Sequence, residues 1–477
     1  MNLADPIDEA IALVPSRVAI IVDEDEITFA ALGEAIDHVS SALVAVGVVP
    51  GDRVPLVAAS GVLATAAVLA CARIGAAAAP MSARATANEI EVMARAAGCR
   101  DVSIADRDAA GRVREATGLE PLGEEILAGD GEPPPHLKVS DDDICVVLFT
   151  SGTTGVPKPV PFSHAILGGR IKAFAPAPDP SAPTLVSISC VPFHHVAGLV
   201  GVFVGLAGGN TVVLQRRFDA GAWLALVERH RVQRVFLVPT MLQRIIDHPD
   251  VAKADLRSVQ LITYGAAPAT RELIVRARGL FPGAAFVQVF GQTETLGGVV
   301  ALGPEDEDAA KRGSVGKPMA GVEVRVVDPA TGVDVADGEV GEFWARAPHT
   351  ATPGWIRSGD LVRRDAEGYI YVVGRMSDVI NRGGEKIDPA EVEAVLWAHK
   401  DVADVAVAGF PDADLGENVG AVIVARRPVD PEELRDWARV RLASHKVPAR
   451  IVFVDELPLT ELGKVSRRDL GALITER

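Results

Sequence analysis

Residues 144–158 read ICVVLFTSGTTGVPK. The first six are apolar and of strand type. The run then opens into hydroxyls, glycines and one lysine. Glycines let backbone N–H groups approach an anion, hydroxyls donate hydrogen bonds and an ammonium adds charge, so the pattern predicts a strand feeding a phosphate-holding loop. A flexible Ser/Thr/Gly linker is the plain alternative, but this run sits directly behind a buried strand and ends in Pro-Lys. It is not a Walker A loop: Pro157 stands where the second glycine would follow Gly152. Gly463-Lys464 fails the same motif, with Pro458 in the first glycine position and Val465 after the lysine.

Outward from this loop, helix and strand patterns alternate. TFAALGEAIDHVSSALVAVGV (28–48) has helical spacing and VPLVAA follows as a strand. AGAWLALVERH and TMLQRII read as helices, RVFLVP and VQLITYG as strands. Such units predict parallel sheets covered by helices, with ligands beyond the carboxyl ends of strands. YGAAP (264–268) and VFGQTET (289–295) also follow strands. After residue 310 the pattern turns β-rich, in VEVRVVD, GEVGEFWAR and YIYVVGR. A small unit then begins near GRMSD (374–378). It holds the strands ADVAVAGF and GAVIVARR and two helices introduced by Asp388-Pro389 and Asp430-Pro431, with Glu391 and Glu433 expected to close capping boxes.

The 477 residues carry 47 Lys plus Arg against 64 Asp plus Glu, a net charge of −17, and no basic tract. A nucleic-acid partner is not expected. The four cysteines are scattered without C-x-x-C, which argues against zinc or a disulfide framework. The start MNLADPIDEA is acidic where a signal peptide is basic. Residues 54–80 are apolar but Ala/Gly-rich and interrupted by Arg73, and read as a buried helix followed by a strand rather than a membrane span. A cytoplasmic protein is expected.

Seven stretches, TSGTTGVPK, PFHHVAG, YGAAP, FGQTET, SGD, GRMSDVINRGGEKIDPAEVE and LPLTELGKVSRR, occur in this order. Together they resemble the adenylate-forming superfamily: acyl-CoA synthetases, firefly-luciferase-like enzymes and stand-alone adenylation domains. The resemblance runs from near residue 27 to Lys464. It implies an α/β fold. A large N-terminal ATP- and acyl-binding domain (1–376) would hold parallel-type sheets covered by helices plus a β-rich subdomain. A small mobile α+β C-terminal domain (377–477) would carry the catalytic lysine. It also implies two steps. A carboxylate attacks the α-phosphate of ATP, giving an acyl-adenylate and pyrophosphate; a thiol, often that of CoA, then displaces AMP.

The resemblance assigns roles residue by residue. Thr150, Ser151, Gly152, Thr153, Thr154, Gly155 and Lys158 would cradle the β- and γ-phosphates. Gly265, Ala266 and Ala267 would lie against adenine, with Phe290 and Gly291 on its other side. Thr293 would bind the α-phosphate and Glu294 would hold Mg²⁺. Asp360 would accept the ribose hydroxyls and Arg375 contact the ribose or phosphates. Lys464 would meet the charge that develops during adenylation. Ser377 takes the hinge position, where Asp or Lys is commoner, and Gly383 and Gly384 would line the thiol channel. Taken without the family, Phe290 reads as core, Glu294 as a helix-start residue, Asp360 as a turn residue and Lys464 as an exposed lysine.

Three departures stand out, one of them a compact, Ala-rich N-terminal part. Pro159 follows Lys158 where glycine is usual, and RAPHTATPGW (346–355) is shorter than the family pattern by about fourteen residues. His195 matches the residue that gates the carboxylate site. Asp219 falls in the wrong place to bind an ammonium, so an amino-acid substrate is not expected. Gly168, Gly169, Ala197, Gly198, Gly265, Gly291, Gly297 and Gly298 are small and predict room for a bulky or long apolar acid, fatty, aromatic or polycyclic. The leading reading is an acid–CoA ligase using ATP, Mg²⁺ and CoA. The alternatives are a stand-alone enzyme loading a carrier-protein thiol, a non-catalytic nucleotide-binding homologue and a luciferase-type oxygenase. An oxidoreductase is disfavoured because no G-x-G-x-x-G follows an early strand.

Overall fold

Alternate residues of single strands feed different cores, as the pleat requires. Val146 and Leu148 enter one apolar cluster and Val147, between them, enters another. Ile20 and Val22 likewise face one cluster and Ile21 a second. Strands buried on both faces read as continuous apolar runs, which is why ICVVLF lacks alternation. The computed structural model describes all residues except 130–131, 151–156, 307–312, 461–464 and 477, and the side chains of 467 and 468. The chain forms two compact units. The first is Met1–Arg312, Pro318–Glu323 and Arg346–Ile356; the second is Gly313–Lys317, Val324–Ala345 and Arg357–Arg477.

The first unit has two sheets. One runs, neighbour to neighbour, through Gly297–Leu302, Ala285–Gln292, Leu261–Gly265, Arg234–Leu237, Val186–Ser189, Thr211–Leu214, Val18–Val22 and Asp25–Thr28. Its interior pairings are parallel and its outermost pairs here antiparallel. The other sheet has the order Ile104–Ala105, Arg53–Val57, Ala77–Met81, Ile144–Thr150, Lys158–Ser163. A shared core joins both sheets through helices Phe29–Ala45, Val62–Arg73 and Val196–Ala207. Helices Ala220–His230, Pro239–Ile246 and Arg271–Leu280 cover the far face of the first sheet, and Ala87–Ala97 and Ala110–Thr117 that of the second. The apolar stretch 54–80 is therefore strand, buried twelve-residue helix and strand. Among the described residues no helix is long and apolar enough to cross a membrane.

The second unit contains the four-stranded sheet Glu323–Val327, Val340–Arg346, Ile356–Arg364, Ile370–Arg375. A further sheet is built on the long hairpin Val402–Asp412 and Gly416–Ala425. Val405 and Val407 pack on one side of that hairpin, towards helices Pro389–Trp397 and Pro431–Arg439. Ala406 and Ala408 pack on the other, against Leu470 and Ile474 of helix Arg467–Glu476. This third helix is not anticipated by the sequence reading. Both clusters draw only on residues from Ile380 onward. The expected capping boxes do not form. Asp388 and Asp430 cap through the second helical N–H, of Ala390 and Glu432. Glu391 pairs with Lys446 at 2.6 Å, and Glu433 reaches His399 at 3.7 Å.

Candidate active site

The strands that flank the hydroxyl-rich loop, Ile144–Thr150 and Lys158–Ser163, pair antiparallel. Thr150 and Lys158 are register partners across the loop's mouth, and Lys158 is exposed. Ser151, Gly152, Thr153, Thr154 and Gly155 lie outside the described residues. Pro159 pairs with Phe149 in the edge strand Lys158–Ser163, where a missing N–H is tolerated. This accounts for the departure from glycine at 159.

Two neighbouring strands end together. Gly265 lies opposite Val289, and a Cβ at 265 would stand 2.2 Å from the Val289 carbonyl oxygen. Ala266 follows with φ 67°, a left-handed conformation that few non-glycine residues adopt. Strand Ala285–Gln292 then turns at Thr293–Thr295 into Gly297–Leu302. The turn is tight. Thr295 Oγ1 accepts from Gln292 N–H and donates to the carbonyls of Gln292 and Gly297 at 2.8–3.0 Å. Leu296 has φ 49°, and a Cβ on Gly291 would meet the Gly297 carbonyl oxygen at 2.0 Å. Thr293 and half-buried Glu294 are thus carried at a rigid tip. The Glu294 carbonyl accepts from Ala351 N–H at 2.8 Å. Its carboxylate pairs with none of the described residues, and a hard oxygen donor so held fits a divalent cation.

His195 precedes helix Val196–Ala207, its ring 4.1 Å from that of His194. Gly198 is required there because a Cβ would come within 2.3 Å of the Pro192 carbonyl oxygen. In the second unit Asp360 and Arg375 are register partners on antiparallel strands. Arg375 Nε donates to Asp360 Oδ1 at 2.7 Å, and Asp360 is only 5% exposed. Gly383 (φ 60°) and Gly384 (φ 93°) form the two-residue turn between Ile380–Arg382 and Glu385–Ile387. Two positive φ angles are what such a hairpin needs, so these glycines have a structural reason independent of any thiol channel. Ser377 is exposed, its hydroxyl donating to Asp378 at 2.9 Å. Leu459 and Val465 are bridged; Lys464 lies outside the described residues.

The pattern described as AMP-binding enzyme matches residues 7–354, and its C-terminal counterpart matches 391–464. The chain belongs to the AMP-binding enzyme family. It is 36% identical to feruloyl-CoA synthase of Amycolatopsis sp, over 96% of each chain. It is 33% identical to indoleacetate–CoA ligase of Aromatoleum aromaticum, over 100% of this chain and 99% of the other. The o-succinylbenzoate CoA synthetase of Bacillus subtilis, solved with its acyl-adenylate OSB-AMP, superposes with TM-score 0.85 at 28% identity, over 98% and 97% of the chains. The same enzyme has been solved with ATP and a magnesium ion. This AMP-binding enzyme is an adenylate-forming acid–thiol ligase.

One expectation needs correction. Small residues predicted room; directly beside the seven glycines among them, room is absent at five. At Gly198, Gly265 and Gly291 the missing side chain lets backbones approach, Gly298 abuts the Val289 side chain and Gly168 abuts Met1. Only Gly169 and Gly297 of these glycines have nothing within 4 Å of a Cβ position. Two residues escaped the sequence reading. Arg170 is buried in helix His164–Phe174 with Leu167 and Ile171, and a cation three residues after Leu167 was the signal. His349 sits in a Thr/Pro-rich loop that gives no signal.

Proposed function

We propose that this AMP-binding enzyme activates an aryl or arylalkenoic acid as its acyl-adenylate and passes the acyl group to the thiol of CoA. The observation that carries the reading is the rigid hairpin tip bearing Thr293 and Glu294, beside open space at Gly297. The two relatives named for aryl acids support the substrate class.

In the first step a carboxylate oxygen attacks the α-phosphorus and the bond to pyrophosphate breaks. Thr150 and Lys158 would hold the departing phosphates at the hairpin mouth, and Thr293 would donate to the α-phosphate. Glu294 would hold Mg²⁺, which supplies charge neutralisation when bound. Gly265, Ala266, Ala267, Phe290 and Gly291 would receive the adenine. Asp360 would accept the ribose hydroxyls, with Arg375 fixing its carboxylate. Lys464 would neutralise the charge shared by carboxylate and phosphate. In the second step the thiol sulfur attacks the acyl carbon and AMP leaves. Residues 377–477 would reorient about Ser377 between the steps, a division supported by the closed cores beyond Ile380. His195 would gate the carboxylate.

The test is mass spectrometry of protein with ATP, Mg²⁺, CoA and a panel of aryl, polycyclic and fatty acids. Aryl-CoA plus AMP is expected. Acyl-adenylate without acyl-CoA would transfer the acceptor role to a carrier-protein thiol. Fatty acyl-CoA alone would overturn the substrate class.

A further inference from the structure

Arg170 is 9% exposed, and its guanidinium offers five N–H donors. Nη2 donates to the Gly298 carbonyl at 2.6 Å, and the guanidinium carbon lies 4.5 Å from the Phe174 ring centroid. No carboxylate among the described residues pairs with it. Burial alone pushes its pKa down to about 10. A buried cation without an anion is costly, and the cost calls for a partner.

Its surroundings point to one. Gly297, beside the Gly298 anchor, has φ 95° and open space where a side chain would be. His349 Nε2 is buried with no hydrogen-bond partner among the described residues. Burial first, and then the Arg170 charge, pull the His349 pKa down to about 4, so the ring is neutral. Two residues on, Ala351 N–H donates to the Glu294 carbonyl. The shortened 346–355 segment that carries His349 thus fastens to the hairpin that holds Thr293 and Glu294, and Arg170 bonds the same hairpin at Gly298. A buried cationic fork and open space lie at one hairpin, and the segment that carries an unpartnered imidazole is fastened to that hairpin, all within the first unit.

We infer that Arg170 reads the far end of the acid, so that acids carrying an acceptor oxygen there, a phenolic hydroxyl or second carboxylate, are activated in preference to unsubstituted ones. The inference rests on the aryl-acid reading above. His349 is a second donor or acceptor for the same oxygen. A distal ammonium is excluded by the same charge.

The experiment measures kcat/KM for pyrophosphate release with 3-phenylpropenoic acid and its 4-hydroxy and 4-carboxy derivatives. The native enzyme should favour an oxygenated acid by roughly tenfold or more. Arg170→Met should bring that ratio close to one, whatever change it makes to the rate common to all three acids. Arg170→Lys keeps the charge and loses the fork; it should keep preference for the carboxylate and lose it for the hydroxyl. No preference in the native enzyme, an unchanged preference for the hydroxyl acid in Arg170→Lys, or an equal loss for all three acids in Arg170→Met overturns the inference while leaving the ligase reading intact. Native enzyme that activates none of the three acids removes the aryl-acid reading itself, and this inference with it.

Discussion

Asp360 is nearly buried, and Arg375 Nε donates to its carboxylate. A carboxylate accepts at both oxygens, whereas an amide accepts at one and donates at the other, so the change sets a donor against the ribose hydroxyls. Asp360→Asn should therefore raise KM for ATP about tenfold or more, with a smaller effect on KM for the acid. An unchanged KM for ATP would place the ribose elsewhere. His349 gives a pH prediction. Its folded pKa of about 4 lies below the ordinary histidine value of about 6.5, so the unfolded chain binds the proton first. Stability from this residue is full above about pH 6.5 and falls as the pH drops towards 4. His349→Gln should flatten the acid limb of a plot of melting temperature against pH; an unaltered limb would mean that His349 titrates normally.

At the scale of elements, close backbone packing decides where glycine stands. Gly291 has a carbonyl 2.0 Å from its absent Cβ, on the hairpin that carries Thr293 and Glu294. Gly291→Ala should force the two strands apart, costing about 1–3 kcal/mol in denaturant unfolding and more in adenylate formation than in stability. A native-like rate at native-like stability would show the hairpin to be slack. These elements were legible because their signals are local: ICVVLF is an apolar run that becomes the strand Ile144–Thr150, and VQLITYG contains the strand Leu261–Gly265. The capping boxes at Asp388 and Asp430 were misread because tertiary partners, Lys446 and His399, claim the glutamates. Glycine carries no sign of whether its empty side meets backbone or open space, so Gly198, Gly265 and Gly291 read as room when they mark contact. Arg170 went unread because its meaning lies in Gly298 and His349, far away in sequence.

Across the whole molecule the ordered motifs made the architecture readable, since a chain that keeps all seven in order keeps the sheets between them. The four-stranded sheet and the C-terminal part belong to one compact unit, whereas the two C-terminal cores draw only on residues from Ile380 onward. Between them lies a short link. Met376 N–H donates to Gly359 O at 2.8 Å and Asp378 N–H to Arg375 O at 3.1 Å, while exposed Ser377 bonds only its neighbour's side chain among the described hydrogen bonds. If residues 377–477 turn about this point between adenylation and thiol transfer, fixing φ at 377 should separate the steps. Ser377→Pro is then expected to form acyl-adenylate and pyrophosphate in a first turnover at close to the native rate and to slow acyl-CoA release by roughly tenfold or more, a delay of about 1.4 kcal/mol in barrier. Rapid-quench measurement of both products in one experiment reads the two rates. Lys464→Ala should do the reverse, stopping adenylate formation while acyl-adenylate supplied from outside still yields thioester. Equal slowing of both steps in each variant would mean that one fixed arrangement serves the whole reaction, and the hinge at Ser377 would have to be abandoned.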